Sequence, residues 1–160
     1  MTENEISYKI RGAIFKVYKE LGPGLLESIY EAALCYQLTK DGWSVRKQVP
    51  VKVVYDGVVL PVDYRLDLLV EDKVIVELKS VEVLMNVHHK QLLTYLKITG
   101  KKLGILVNFN SDDIGSSIYR KVNGLWFHPL NSQICAEKSL RYSASSAGDK
   151  TSIPFDEIPH

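Results

Sequence analysis

Cysteine is scarce in this 160-residue chain: only Cys35 and Cys135 occur, far apart along the sequence. They form no CxxC pair and no Cys/His ligand spacing, which argues against a zinc site and leaves reduced thiols in a cytoplasmic protein as the expectation. No uncharged apolar run approaches the roughly 18 residues of a membrane span, so no membrane partner is expected. No basic start followed by an apolar stretch appears at Met1, and no secretory leader is expected. Self-similarity at a fixed period is missing, which excludes a repeat architecture. Glycine-rich phosphate loops, GxGxxG and GxSxG are missing too, which removes the common nucleotide and serine-hydrolase signatures. Finally, there is no excess of one charge: 20 Lys+Arg stand against 19 Asp+Glu, a net +1. That excludes a protein that coats nucleic acid through bulk charge, so any phosphate-directed function must come from local charge placement. What remains is ordinary soluble composition, 46% hydrophobic and 24% charged, with length for one domain and a sizeable core.

Ile6, Ile10, Ile14, Val17 and Leu21 recur at helical spacing and predict a first helix over Ile6–Leu21. Gly22-Pro23-Gly24 breaks it. A second helix is predicted from about Leu25 to Lys40, with Leu26, Tyr30, Ala33 and Gln37 or Leu38 on one side and Gly42 as its stop. From Trp43 to Ser80 the period changes to two and valine dominates, which predicts strands, with Asp56-Gly57 as a tight turn between two of them. A third helix follows over roughly Asn86–Thr99, stopped by Gly100. Leu103 to Phe109 reads as a strand buried on both faces, and Tyr119 to Phe127 as a last strand or a hairpin around Asn123-Gly124. This order predicts an α/β (α+β) core with a mixed sheet over residues 1–130. Residues 131–160, serine-rich towards the end, are expected to form a flexible C-terminal extension.

The most informative stretch is Val62 to Ser80. Asp67 interrupts one apolar strand; Glu77 and Lys79 interrupt the next, and such charges are costly unless paired or bound to something. A three-residue loop, Glu71-Asp72-Lys73, sets Val70 against Val74, Leu68 against Val76 and Leu66 against Leu78. The other face then carries Leu69 with Ile75, Asp67 with Glu77, and Arg65 with Lys79. A two-residue loop would instead set Leu68 against Glu77 and Asp67 against Leu78, mixing polar and apolar on both faces, so the hydrophobic pattern selects the first register. Two opposed carboxylates repel, and a divalent cation removes that penalty. Hard oxygen ligands favour Mg²⁺, with Mn²⁺ able to substitute. The plain alternative is an ion-pair lattice of Arg65, Lys79, Asp67 and Glu77 on a solvated sheet face.

Asp67 followed by Glu77-Leu78-Lys79 in an apolar strand resembles the PD-(D/E)XK nuclease superfamily. Gly24-Leu25-Leu26-Glu27-Ser28-Ile29-Tyr30 matches GxxExxY, and Gln91-Leu92-Leu93-Thr94-Tyr95 matches QxxxY, so the chain is similar to the GxxExxY proteins over about Ile6 to Asn123. The resemblance implies a restriction-endonuclease-like core, a mixed central sheet flanked by helices. It also implies a metal-dependent nuclease acting on DNA ahead of RNA. Asp67, Glu77 and the backbone carbonyl of Leu78 would hold the metal, with Glu27 joining directly or through water and Lys79 positioning or activating the attacking water. Gln91 and Tyr95 would touch the substrate or brace the site, and Tyr30, His88, Arg65, Lys90 and Lys97 are grouped with them.

The residues themselves bear on these roles. Gln91 and Tyr95, four apart, share a helix face with His88. His88 and His89 point about 100° apart and cannot comfortably chelate one ion. Between Val83 and Ser111 there is no acidic residue, while Lys90, Lys97, Lys101 and Lys102 form a local basic run suited to phosphates or to a solvated helix end. Two further readings stand beside the nuclease: a non-catalytic nucleic-acid- or protein-binding module on the same fold, and a homodimer docked through a sheet edge or the apolar segment Ile153 to Ile158.

Overall fold

The computed structural model describes residues 1–124. The extension 131–160, the segment Ile153–Ile158 and any hairpin strand after Gly124 lie outside the described residues.

Helix α1 spans Glu3–Leu21. It starts earlier than the apolar pattern because Thr2 and Glu5 cap each other: Glu5 accepts the Thr2 N–H at 2.8 Å, and Thr2 Oγ1 accepts the Glu5 N–H at 3.3 Å. Ile6, Ile10, Ala13, Ile14 and Val17 are buried, whereas Leu21, at the helix end, is partly exposed. Helix α2 spans Glu27–Lys40 and buries Tyr30, Leu34 and Leu38. The expected place of Leu26 on that face is wrong. Leu26 is the residue before the helix, in extended conformation, and its side chain is exposed.

Strands β1 (Val45–Pro50), β4 (Arg65–Val70), β5 (Val74–Lys79), β6 (Leu103–Asn108) and β7 (Ile118–Val122) form one mixed sheet in the order β1-β4-β5-β6-β7. Only β5 and β6 run parallel, joined by α3 (Asn86–Thr99), because a parallel pair needs a crossover. Strands β2 (Val54–Tyr55) and β3 (Val58–Val59) make a separate two-stranded ribbon. Asp56 and Gly57 turn it with φ of 50° and 77°, the two positive angles of a type I′ turn. A short 3₁₀ turn, Ile114–Ser117, precedes β7.

Helices flank the sheet on both sides. Leu68, Val70, Val74, Val76, Leu78, Ile105 and Val107 pack with α1 and α2. Leu69, Ile75 and Leu106 pack with Leu92, Tyr95 and Leu96 of α3. Every residue of β6 is buried, as its unbroken apolar run predicts. At Gly104 a Cβ would lie 2.6 Å from Leu92 Cδ1, so the Leu92 side chain of α3 packs against the β6 backbone.

The β4–β5 register has the expected pairs Val70 with Val74, Leu69 with Ile75 and Leu68 with Val76. Leu66 does not face Leu78, however. The ladder ends at Leu68, and Leu66 packs on the α3 side while Leu78 packs on the α1/α2 side. The cause is a local break at Asp67.

Candidate active site

The β1–β4 ladder runs through Lys47–Leu68 and resumes at Val49–Leu66, skipping the Gln48–Asp67 position. Gln48 sits there with φ of 51°, a conformation uncommon outside glycine. With ladder bonds interrupted on both sides, the Asp67 carboxylate takes over a backbone role: its Oδ2 accepts the Leu78 N–H at 2.8 Å. Asp67 and Glu77 are therefore close neighbours rather than a regular cross-strand pair.

Glu77 is 1% exposed. Its Oε1 accepts from Lys79 Nζ at 2.7 Å, while its Oε2 is buried without a hydrogen-bond partner. Lys79 Nζ also lies 3.8 Å from Oε1 of Glu27, the first residue of α2. Two carboxylates thus flank one ammonium, with the charge of Asp67 acting on it from further off. Burial raises the Asp67 carboxyl to about 6, against the lowering effect of the Leu78 N–H and Lys79. Burial, then the charge of Asp67, raises Glu77 to about 7, with Lys79 opposing. For Lys79, burial pulls downward, but Glu77, Glu27 and Asp67 together hold it above the ordinary lysine value.

This donor set suits a divalent cation in one specific respect: a buried, ionisable oxygen, Glu77 Oε2, has no hydrogen-bond partner among the described residues. Among the described residues no three His, Cys, Asp or Glu side chains converge into a cage. A cation here would draw on main-chain, water or substrate oxygens as well, as Mg²⁺ commonly does.

The other anticipated residues fall into distinct places. Tyr95 OH donates to the Arg65 carbonyl at 2.5 Å and accepts from Gln91 at 3.3 Å, and its ring packs on Tyr64 at 4.6 Å. This pins β4 two residues before Asp67. Tyr30 is fully buried and stacked on Phe109 at 4.4 Å; its hydroxyl donates to Gly22 O and accepts from the Leu25 N–H. It fixes the turn that delivers Glu27. The Arg65 side chain does not stand against Lys79: it pairs with Asp63 at 2.6 Å and reaches the Gln48 carbonyl. The broken ladder frees it to turn outward. His88 accepts the Met85 N–H through Nδ1 at 3.1 Å and so caps α3. Lys90 and Lys97 are exposed on α3, whereas Lys101 is engaged by Asp72 at the β4–β5 turn.

Four further residues shape the site. Glu31 accepts from Gln48 Nε2 at 2.5 Å and adds negative charge near Asp67. Its signal was present: Glu27 and Glu31 are like charges four apart, unfavourable on a helix unless used. Ser80 Oγ donates to Leu25 O at 2.6 Å, tying the end of β5 to the turn before Glu27. Asn108, buried, clamps Val81 through both main-chain groups at 3.0 and 2.7 Å. A lone amide in an apolar run was its signal. Gln48 had none, since its role comes from its backbone angle. A groove of about 600 Å³ along α1, lined by Tyr8, Arg11, Phe15, Lys16, Asp41 and Trp43, contains none of these groups.

Comparison with curated proteins found no match, and comparison with solved structures found none. A family model described as the PD-(D/E)XK nuclease superfamily matches residues 4–121. The five-stranded mixed sheet with helices on both sides is consistent with the restriction-endonuclease-like fold of that family. Because the match runs from the first turn of α1 into β7, the chain belongs to the PD-(D/E)XK nuclease superfamily.

Proposed function

We propose that this protein hydrolyses phosphodiester bonds of nucleic acid, DNA ahead of RNA, and that it is a GxxExxY member of its superfamily. Asp67, Glu77 and the Leu78 carbonyl would hold Mg²⁺, or Mn²⁺ in its place, with Glu27 joining directly or through water. The observation that carries the reading is the buried, partnerless Glu77 Oε2 beside Asp67 and Lys79. When bound, the cation would polarise the scissile phosphate and acidify a water. The chain's own groups do the rest. Asp67, locked by the Leu78 N–H, presents its other oxygen in a fixed direction. Lys79, flanked by Glu77 and Glu27, stays an ammonium, so it orients the attacking water and stabilises charge developing on the phosphoryl oxygens rather than removing a proton. Tyr95 and Tyr30 hold the two backbones that carry Asp67 and Glu27.

Calorimetric titration with Mn²⁺ and Mg²⁺-dependent cleavage of labelled DNA test this directly. Wild-type protein is expected to bind Mn²⁺ and to cleave, and folded Asp67→Ala and Lys79→Ala proteins to lose cleavage. Absence of Mn²⁺ binding at millimolar metal would favour the non-catalytic module, and unchanged cleavage in both variants would place the activity elsewhere.

A further inference from the structure

The pairs on either side of the Gln48–Asp67 gap keep one register, Lys47 with Leu68 and Val49 with Leu66. No extra residue is inserted, so the gap is not a β-bulge. Gln48 and Asp67 still stand opposite each other, and what differs is conformation: Gln48 turns to φ 51°, out of the extended region that a ladder needs. Strand β4 turns over at the same place. Alternation would put Leu66, Leu68 and Val70 on one side of the sheet. Leu68 and Val70 do pack with α1 and α2, but Leu66 packs with Leu69 on the α3 side. The change of face falls at Asp67, where pairing to β1 lapses and the β4–β5 ladder has ended. A side chain on a regular strand stands roughly perpendicular to its sheet. Asp67 instead reaches the main chain of the neighbouring strand, at the Leu78 N–H.

A left-handed glutamine is strained and persists only where its surroundings fix it. Two groups hold this one. The Gln48 carbonyl accepts from Arg65 at 3.4 Å, a long contact from a side chain already paired with Asp63. Gln48 Nε2 donates to Glu31 Oε2, and a hydrogen bond to a charged acceptor is the stronger kind. Glu31 is half-buried on α2, one turn after Glu27. Among the described residues its carboxylate makes no ion pair, and the bond from Gln48 is its one hydrogen bond. After burial, its charge is among those that raise the Asp67 carboxyl. A like charge four residues from Glu27 costs helix stability, and the mechanism above makes no use of it.

We infer that Glu31 is a positioning residue of the metal site: through its hydrogen bond to Gln48 it keeps the β1–β4 ladder open opposite Asp67, and so aims the Asp67 carboxylate at β5. Glu31 acts through Gln48 and is not itself a ligand. Its part in catalysis rests on the nuclease reading above, whereas its hold on Asp67 does not. Without it, Gln48 returns to an extended angle, pairs again with Asp67 and draws the carboxylate off the Leu78 N–H.

Glu31→Ala, Glu31→Gln and the double variant Glu31→Ala/Gln48→Gly separate the hydrogen bond from the charge and from the backbone angle. Glutamine still offers an oxygen to the Gln48 amide, and glycine takes a left-handed angle without support. Hydrogen exchange of the Leu78 amide, followed by NMR in EDTA, reads the Asp67 bond with neither metal nor substrate present. In Glu31→Ala this exchange is expected to speed up about tenfold or more, the loss of one hydrogen bond to a charged group, while the Ile75 amide in the same strand changes little. It is expected to stay close to the wild-type rate in Glu31→Gln and to slow again in the double variant. Mn²⁺ affinity by calorimetry and Mg²⁺-dependent cleavage of labelled DNA are expected to follow, falling about 10- to 100-fold in Glu31→Ala, as for other groups that orient a metal ligand, and recovering in the other two. Unchanged Leu78 exchange in Glu31→Ala, or acceleration shared equally by Ile75, would overturn the inference. So would Glu31→Gln impaired as much as Glu31→Ala, which would make the charge itself the active feature, or a double variant no better than Glu31→Ala. Wild-type protein that neither binds Mn²⁺ nor cleaves would end the nuclease reading, while the exchange rates would still decide how Asp67 is held.

Discussion

Replacing Lys79 by methionine isolates the electrostatics of the site in the metal-free protein. Methionine keeps an unbranched chain of similar length, so packing changes little. The ammonium that Glu77 Oε1 accepts from at 2.7 Å is gone, and Glu77 keeps a 1% exposed carboxyl with both oxygens unpaired. Ionised, such a group would cost about 3–5 kcal/mol. It has another course, because its carboxyl already titrates at about 7 in the folded state against 4.5 as a free side chain. Lys79 lowers that value, so its removal raises it further. The sign follows from proton counting. A folded-state value above the unfolded one means that stability falls as pH rises through the interval between them. In wild type the fall ends near 7; in Lys79→Met it continues above 7. At about pH 6 both proteins hold Glu77 largely neutral, and the variant loses roughly 1 kcal/mol, one hydrogen bond. From about pH 7 upward the gap widens by up to about 1.4 kcal/mol per unit until the variant's Glu77 ionises. Asp67, which also loses the lowering influence of Lys79, adds in the same sense. Urea denaturation in EDTA, followed by circular dichroism at about pH 6 and about pH 8.5, measures both gaps. A gap of equal size at the two values, or a larger one at the lower, would refute the assignment of Glu77 as the buried group that Lys79 neutralises.

Two other substitutions probe the frame. Gly104→Ala places a methyl 2.6 Å from Leu92 Cδ1, and a loss of about 1–3 kcal/mol from overpacking is expected in the same denaturation assay. Tyr30→Phe keeps the stack on Phe109 but removes the hydroxyl that holds Gly22 and Leu25. It is expected to lose roughly 1–3 kcal/mol and to reduce cleavage more than Gly104→Ala does, since Glu27 follows directly on that turn.

The parts of the fold written in the sequence are those decided by local pattern. The boundaries of α3 follow from its apolar spacing and from Gly100, whose left-handed conformation ends it. The turn of the β4–β5 hairpin and its first three pairs follow from hydrophobic matching alone. The break at Asp67 was not legible, because it depends on β1, nineteen residues earlier, adopting a positive φ at Gln48. That hidden break also explains why Leu66 and Arg65 depart from their expected places. Leu26 was misplaced for a different reason. Apolar periodicity does not distinguish the first helical residue from the capping position before it, and capping depends on backbone angles. Glu27 and Lys79 were both singled out, but their 3.8 Å approach depends on Tyr30 and Ser80 pinning one turn from two sides.

The Ser80–Leu25 hydrogen bond spans 55 residues of chain, and that separation bears on the order in which the site assembles. Asp67, Glu77 and Lys79 come from one hairpin whose contacts are short-range, and such contacts form early because little chain must be closed. Glu27 joins them only where the N-terminal helical pair is docked against the sheet. A chain halted before docking would carry the hairpin charges without their fourth member. Chemistry that needs all four would therefore be confined to molecules that have completed folding.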